Sequence, residues 1–252
     1  LKDDAATWIL ADDTFPAPGE QSISQRLAGF VNGTTAGLPL RVFTYTESDL
    51  TTMFPALTDI RANLPDRQDV RDCFCLPGPK SLAWCFHTES LLLWWRKALL
   101  GPKPKYVWVV EDDAGYSGDI LQFLRAYQTD SSDLITHGLR LAEPSWVWYN
   151  ASSGAFSKLL AQNQRLRCAE HLQRISADLF EALDSFAQSG VTAWSEMAVP
   201  SLCRASGGVL GCLRPEHVGA IFTFDGKVPA ALWPRICQEE RTRDRWWHAL
   251  KW

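Results

Sequence analysis

The interpretation of this chain depends on the segment Tyr106-Val107-Trp108-Val109-Val110-Glu111-Asp112-Asp113. Its first five residues form an unbroken apolar run of strand length, which is typical of a central strand buried on both faces of a sheet. Three acidic residues follow at the strand end, where open α/β sheets place their ligand crevice. Gly115 and Gly118 come next and allow the backbone to turn sharply near a bulky ligand. The segment therefore predicts a ligand site at the end of a buried strand.

The acids Glu111, Asp112 and Asp113 predict a site for a divalent cation. Alternate side chains of an extended segment share a face, so we expect Glu111 and Asp113 in one cleft and Asp112 pointing away. Carboxylates crowded at a strand end repel one another unless a cation neutralises them, and oxygen ligands suit Mg²⁺ or Mn²⁺. Three acids alone are also consistent with a solvated turn. The apolar strand before them favours the metal site.

Strands and helices alternate along the chain, which predicts the α/β class. We expect one domain at 38–252 with a mostly parallel central sheet flanked by helices, after an irregular lead-in at 1–37. The predicted strands are Leu40–Thr46, Tyr106–Val110 and Asp133–His137. The predicted helices are Ser48–Asn63, Thr88–Leu100, a short helix capped by Asp119, a long amphipathic helix carrying Leu172, Ile175, Leu179, Leu183 and Phe186 and ending at Gly190, and one that begins near Trp194.

Composition and missing motifs exclude several functional classes. Lys and Arg total 25 against 29 for Asp and Glu, so the net charge is -4 and nucleic acid is not an expected partner. No apolar stretch reaches the ~20 residues of a membrane span, so we expect no membrane contact. Seven cysteines without C-x-x-C spacing argue against a zinc ribbon. The sequence also lacks the P-loop, dinucleotide-binding and nucleophile-elbow motifs.

The stretch from Val107 to Gly118 resembles the strand and D-x-D-type motif of GT-A glycosyltransferases, in an E-D-D variant. The order of elements extends the resemblance from about Leu40 to Trp252. The resemblance implies a GT-A-like, Rossmann-like domain that transfers sugar from a nucleotide-diphosphate sugar, first of all a UDP-sugar, to a hydroxyl of a carbohydrate, glycan or glycoprotein. It further implies that Asp113 binds Mn²⁺ or Mg²⁺ and that Glu111 and Asp112 lie nearer the ribose, the sugar or metal-bound water.

Two later segments match the pattern of this family. Ala193-Trp194-Ser195-Glu196-Met197 resembles the acidic motif that carries the catalytic base of inverting members, which makes Glu196 the candidate base. The chain end around His248 resembles their late histidine segment, which implies His248 as a metal ligand and Lys251 as a phosphate contact. The residues alone leave two alternatives open. Glu196 also suits the first turn of a helix, and His248 also suits a packed, hydrogen-bonded imidazole.

Other aromatic and polar residues are weaker candidates for the site. Thr44, Tyr45 and Thr46 end the first predicted strand of this domain, where the family fold implies contact with the base and ribose. Tyr45 is equally consistent with a core position. Segments predicted to line the cleft contain three tryptophans whose faces suit a sugar ring: Trp146, Trp148 and Trp194. No spacing makes a metal site of the remaining histidines, which are His87, His137, His171 and His217.

Two other functions remain open at this point. A glycoside hydrolase would pair Glu111 or Asp113 with Glu196 as acid and base and would need no metal. A carbohydrate-binding protein with a GT-A-like fold would have lost catalysis. The sequons Asn32-Gly33-Thr34 and Asn150-Ala151-Ser152 are compatible with the secretory pathway. With the family resemblance they predict the Golgi lumen, reached through an anchor outside these residues.

Overall fold

A computed structural model of the chain describes residues 7–13, 40–61, 82–99, 101–222 and 226–251. Helices and strands are mixed throughout, which confirms the α/β class. The strands are β1 (Thr7–Asp12), β2 (Leu40–Tyr45), β3 (Tyr106–Val110), β4 (Gly115–Tyr116), β5 (Leu134–Leu141), β6 (Leu166–Ser176), β7 (Leu210–Cys212), β8 (Val228–Pro229), β9 (Trp246–Trp247) and β10 (Leu250–Lys251). The helices are α1 (Glu47–Met53), α2 (Ala56–Arg61), α3 (Leu82–Cys85), α4 (His87–Lys97), α5 (Ile120–Ala126), α6 (Gly154–Leu159), α7 (Ala177–Gln188), α8 (Ser195–Ala205) and α9 (Trp233–Gln238).

The chain divides into two compact units where a single domain was expected. The first unit consists of Leu1–Lys103, Glu143–Gln162 and Leu183–Ala198. The second unit consists of Pro104–Ala142, Asn163–Ala182 and Val199–Trp252. In the part of the chain that the structure describes, no helix has both the length and the apolar character needed to cross a membrane.

In the first unit, β1 pairs in parallel with β2. The prediction of an irregular lead-in is therefore wrong for Thr7–Asp12, whose apolar Trp8-Ile9-Leu10 run lies in a strand. The predicted helix at Ser48–Asn63 divides into α1 and α2 around Pro55, because proline has no backbone N–H to continue the helical ladder. The predicted helix at Thr88–Leu100 corresponds to α4.

The second unit contains a four-stranded sheet in the order β3-β6-β5-β7. Strand β6 is antiparallel to β3 and β5, whereas β5 and β7 are parallel. Three of the four strands therefore share one direction, as a mostly parallel sheet requires, but β6 runs against them. Strand β3 lies at one edge of this sheet with Val110 exposed, so the prediction of a central strand buried on both faces is wrong.

Strand β6 lies inside this sheet, and every one of its residues except Arg167 is buried. The sequence interpretation was wrong here, since it assigned Leu172 and Ile175 to the same long helix as Leu179. A strand buried on both faces shows no apolar and polar alternation, so the three-residue spacing of Leu172 and Ile175 imitated a helical period. Helix α7 begins only at Ala177.

An aromatic core fixes the end of β3 in the second unit. Phe123 of α5 lies 4.9 Å from Trp108 and 5.4 Å from Trp246 between ring centroids. Such ring pairs stabilise by about 0.5–1.5 kcal/mol each beyond the area that they bury. Strand β4 pairs antiparallel with β9, which attaches the chain end to the turn after β3. This pairing brings His248 to the acidic segment.

Candidate metal centre

The backbone ladder between β3 and β6 places His171 opposite Glu111. Val110 pairs with Leu172 in antiparallel register, and the next step along the ladder joins Glu111 to His171. The Glu111 N–H donates to the His171 carbonyl at 3.1 Å. Residues that are opposite in such a ladder have neighbouring side chains. The strand register, rather than proximity in sequence, therefore makes this pair.

Two backbone hydrogen bonds bring in Asp113 and His248. The Leu250 N–H donates to the Asp113 carbonyl at 2.7 Å, and the His248 N–H donates to the Ile221 carbonyl at 3.1 Å. His248 lies directly after β9, whose partner β4 follows Asp113 by two residues. The pairing of β9 with β4 before His248, and the hydrogen bond from Leu250 to Asp113 after it, therefore hold the imidazole beside the acidic segment.

Four side chains meet at this point: Glu111, Asp113, His171 and His248. Glu111 Oε2 lies 2.6 Å from His171 Nδ1 and 3.5 Å from His248 Nε2. His248 Nε2 lies 3.1 Å from Asp113 Oδ1. The two imidazole rings stack with centroids 3.4 Å apart and an interplanar angle of 10°. Both carboxylates therefore face the same imidazole nitrogen.

The two kinds of side chain differ in exposure. The side chains of His171 and His248 are 1% and 8% exposed, whereas those of Glu111 and Asp113 are 30% and 24% exposed. Phe222 is buried and packs edge-on against His171 with centroids 5.9 Å apart. The imidazoles therefore form the enclosed wall of the site, and the carboxylates form its accessible side.

The donor atoms suit a divalent metal ion. One ligand atom from each of Glu111, His171 and His248 lies within 4.8 Å of the others. Two imidazole nitrogens with a carboxylate oxygen are ligands for ions such as Mn²⁺, Fe²⁺ or Zn²⁺. Mg²⁺ prefers oxygen ligands and retained water. The residues present therefore fit a transition-metal ion better than they fit Mg²⁺.

His137 lies beside the candidate metal centre, on Phe222, which also contacts His171. Its ring packs against Phe222 with centroids 5.5 Å apart. Burial lowers the pKa of His137, and the nearby charges of His171 and Arg140 lower it further. A neutral imidazole suits this apolar contact. His137 lies outside the group of clustered ligand atoms among the described residues.

The acidic segment has the predicted arrangement, and the structure adds one residue. Glu111 and Asp113 share a face, as alternation predicts, and Asp112 is exposed. His248 joins the cluster, but the Lys251 side chain lies outside the described residues. His171 also joins it, although its spacing in the sequence indicated no metal site. The signal that locates His171 is the register of β6 against β3. The sequence pattern predicts a helix at Leu172 and Ile175 instead, so it does not provide this register.

The remaining predicted residues lie in the first unit. Tyr45 is buried and stacks on Phe43, and burial raises the pKa of its hydroxyl to about 12. Thr46 caps α1 in a reciprocal pair with Asp49, and Thr44 is exposed. Glu196 is buried in the first turn of α8. The nucleotide contact of Thr44, Tyr45 and Thr46 and the basic role of Glu196 stay predictions.

The tryptophans predicted as a sugar platform partly stack on each other. Trp148 and Trp194 are both buried, with centroids 3.7 Å apart and an interplanar angle of 8°. Their facing sides are therefore occupied within the first unit, while Trp146 is half-buried. In comparisons with known proteins, no protein-family model and no curated protein matches this chain.

Proposed function

We propose that this protein is a metal-dependent glycosyltransferase with a GT-A-like fold. It transfers sugar from a nucleotide-diphosphate sugar to an acceptor hydroxyl. The observation that carries this proposal is the convergence of Glu111 and Asp113, at the end of β3, on His248 Nε2 at 3.5 and 3.1 Å. A strand-end acidic pair with an imidazole from the chain end is the arrangement that the family resemblance implies. Mn²⁺ is the expected ion.

Glu111, Asp113, His171 and His248 would hold this ion. Bound there, a divalent cation supplies positive charge that stabilises a departing diphosphate. The chain's own contribution is to hold the ligands in place before the substrate arrives. The backbone bonds at Glu111 and Asp113 fix the carboxylates, and stacking fixes the two imidazoles. Ligands fixed in this way need little reorganisation when they bind an ion.

Glu196 is the proposed base of the transfer. A carboxylate within hydrogen-bond reach of an acceptor hydroxyl accepts its proton as the oxygen attacks the anomeric carbon. This role would give inversion of configuration, because attack and departure occur on opposite faces of the sugar. The position of Glu196 at the start of α8, in a segment with many anchoring contacts, supports the proposal.

The ligand set favours one second candidate, a zinc-dependent hydrolase. Catalytic zinc sites commonly combine two histidines and a glutamate with one open position, and Glu111, His171 and His248 are such a set. A glycoside hydrolase without metal gains less support, because Glu111 and Asp113 both face an imidazole. The two candidates differ in whether a nucleotide binds.

A thermal-shift screen separates these functions. UDP, GDP and CMP are each added with Mn²⁺, Zn²⁺, Mg²⁺ or EDTA, since a ligand of the native state raises its stability by mass action. We expect UDP to raise the melting temperature only with Mn²⁺ present. Asp113→Ala should abolish this rise, while the control Asp184→Asn, at an ion-paired carboxylate of the first unit, should keep it. Stabilisation by Zn²⁺ alone, with no response to any nucleotide, would contradict the transferase and favour the hydrolase.

A further inference from the structure

Glu89 is a buried carboxyl group outside the candidate metal centre. It lies on α4 in the first unit and is 2% exposed. Its Oε1 accepts a hydrogen bond from the Thr192 hydroxyl. Its Oε2 is enclosed and meets no hydrogen-bond partner in the part of the chain that the structure describes. A buried acid with one neutral partner is costly to place in a core, so a role for it is expected.

Thr192 begins the short segment that leads into α8 and the proposed base. On one side this Thr192–Ser195 segment is tied to the backbone of the chain near residue 152. The Ser153 N–H donates to the Thr192 carbonyl at 2.8 Å, and the Trp194 N–H donates to the Ala151 carbonyl at 2.7 Å. The Thr192 N–H also donates to Ser153 Oγ at 3.2 Å. Backbone bonds therefore fix the course of the segment.

On the other side the segment is tied to α4 by hydrogen bonds at each of its ends. The Thr88 N–H donates to Ser195 Oγ at 3.1 Å, and the Thr192 hydroxyl donates to Glu89. Two consecutive residues of α4 thus hold both ends of the Thr192–Ser195 segment. Three side chains take part in these two contacts, those of Ser195, Thr192 and Glu89, and only that of Glu89 ionises in the ordinary pH range. A change of pH therefore acts on this attachment through Glu89.

We propose that Glu89 is a positioning residue that holds the Thr192–Ser195 segment against α4 and thereby sets where Glu196 projects. This inference rests on the proposed function, because that function gives Glu196 its role. A protonated Glu89 is a neutral acceptor that fits the enclosed pocket. Among the described residues, the side chain that donates to Glu89 is the neutral Thr192 hydroxyl, so an ionised Glu89 would be a costly buried charge, which favours opening of the segment to water.

The ionisation of Glu89 supports this role near neutral pH. Burial raises its pKa to about 7, and the hydrogen bond from Thr192 opposes this rise. His87, on the same helix, is the charged group that opposes it further. From the Thr192–Ser195 segment, the group that faces the carboxyl is the Thr192 hydroxyl. The segment is therefore expected to loosen as pH rises through about 7.

The test follows this segment in the intact chain between pH 5.5 and 8.5, values set about the expected transition. Hydrogen exchange of peptides covering 192–196 reports the segment, with correction for the intrinsic pH dependence of exchange. Near-ultraviolet circular dichroism reports the Trp148–Trp194 stack, and the signal lost in Trp148→Phe identifies this pair. The variants are Glu89→Gln, Thr192→Val and the control Asp184→Asn, which removes an ion-paired carboxylate elsewhere in the first unit.

We expect both signals of the wild-type protein to change with a midpoint near pH 7. Glu89→Gln should abolish the transition, because its amide cannot ionise, and Asp184→Asn should keep it. Thr192→Val should move the midpoint upward, because it removes the hydrogen bond that opposes the pKa rise. A transition that persists in Glu89→Gln would overturn the proposal. If Glu89→Gln does not fold, an unchanged midpoint in Thr192→Val would overturn it.

Turnover separates this inference from the proposed function. With a donor sugar identified from the nucleotide screen, kcat should follow the spectroscopic transition while KM stays constant, and Glu89→Gln should remove the alkaline fall. Turnover without that fall, beside a clear spectroscopic transition, would overturn the positioning role. Absence of turnover with every nucleotide sugar would overturn the proposed function, and the intact transition would show that the contact between Glu89 and Thr192 acts independently of it.

Discussion

Glu111 and Glu89 are glutamates in different units that meet very different partners. Glu111 is partly exposed and lies 2.6 and 3.5 Å from two imidazole nitrogens. Glu89 is enclosed and accepts a hydrogen bond from one hydroxyl. Imidazoles can compensate a carboxylate by protonation or by sharing a cation with it, whereas a hydroxyl cannot. The difference teaches that the partners of a glutamate, together with its exposure, decide whether it suits ligand binding or a fixed structural contact.

The largest expected effect comes from removing the charge of Glu111. In Glu111→Gln the amide keeps the shape but weakens metal ligation. Replacing even an outer partner of a metal ligand costs about 10- to 100-fold in affinity, so a lost ligand should weaken Mn²⁺ binding at least about 100-fold. Isothermal titration calorimetry with Mn²⁺ measures this. Asp184→Asn, which removes a carboxylate of the first unit, is the control. Wild-type affinity in Glu111→Gln would remove Glu111 from the ligand set, and its contrast with Glu89 would disappear.

The next effect is on the pH dependence of stability. The pKa of Glu89 is raised from 4.5 to about 7 in the folded chain. Below pH 4.5 both the folded and unfolded states hold the proton, and between the two values only the folded state keeps it. The free energy of unfolding should therefore fall as pH rises and level off above pH 7. At roughly 1.4 kcal/mol per pKa unit, the total loss is about 3 kcal/mol.

Urea unfolding from pH 4 to 8 measures this loss, with the pH limits set about the transition. Glu89→Gln should remove the part of the pH dependence that comes from ionisation of Glu89, so the variant becomes more stable relative to wild type as pH rises. Other groups titrate in the same window, and the difference between the two curves isolates Glu89. Parallel curves would mean that Glu89 ionises in the folded chain as it does in the unfolded one, and the contrast with Glu111 would disappear.

A third effect concerns the choice of metal at the candidate centre. Nitrogen ligands favour transition-metal ions over Mg²⁺, so we expect Mn²⁺ to bind at least about 10-fold more tightly than Mg²⁺. His171→Ala should narrow this preference, because it leaves one imidazole with the carboxylates. His137→Ala is the matched control, since His137 contacts Phe222 outside the clustered ligand atoms. Competition titrations with both ions decide the matter, and an unchanged preference in His171→Ala would remove His171 from the ligand set.

The acidic half of this site was predictable, and the second imidazole was not. Glu111 and Asp113 follow a short apolar strand, so their shared face follows from alternation along one segment. His171 reaches them through the register of β6 against β3, a contact between residues far apart in sequence. Period counting failed at Leu172 and Ile175 because a strand buried on both faces has no alternation to detect. The sequence therefore did not predict His171 as a ligand for the same reason that it did not predict β6 as a strand.

The fold shows the same division between local and distant information. Asp119 caps α5 and Pro55 divides α1 from α2, and both signals are local. The strand at Thr7–Asp12 depends on pairing with β2, which comes much later in the chain, so its composition alone predicted irregular structure. The contact between Glu89 and Thr192 also spans distant segments. Local signals predicted elements here, while pairing decided which residues meet.

The smallest expected effect concerns Asp184, a carboxylate that is paired with the guanidinium of Arg96 and so differs from Glu89. Arg96 donates to both oxygens of Asp184 at 2.6 Å in the first unit. The pair is partly exposed, and such pairs contribute about 0.2–1 kcal/mol. Asp184→Asn should therefore lower the free energy of unfolding by no more than about 1 kcal/mol.

This small loss should also shrink with added salt, because ions screen an exposed pair. Urea unfolding at low and high NaCl measures both quantities. The fall in stability caused by Glu89 between pH 4.5 and 7 should survive unchanged in Asp184→Asn, since that variant leaves Thr192 in place. If Asp184→Asn instead removed the fall, the pH dependence would belong to the ion pair. Asp184, and not Glu89, would then be the carboxylate whose ionisation changes the free energy of unfolding in this pH range.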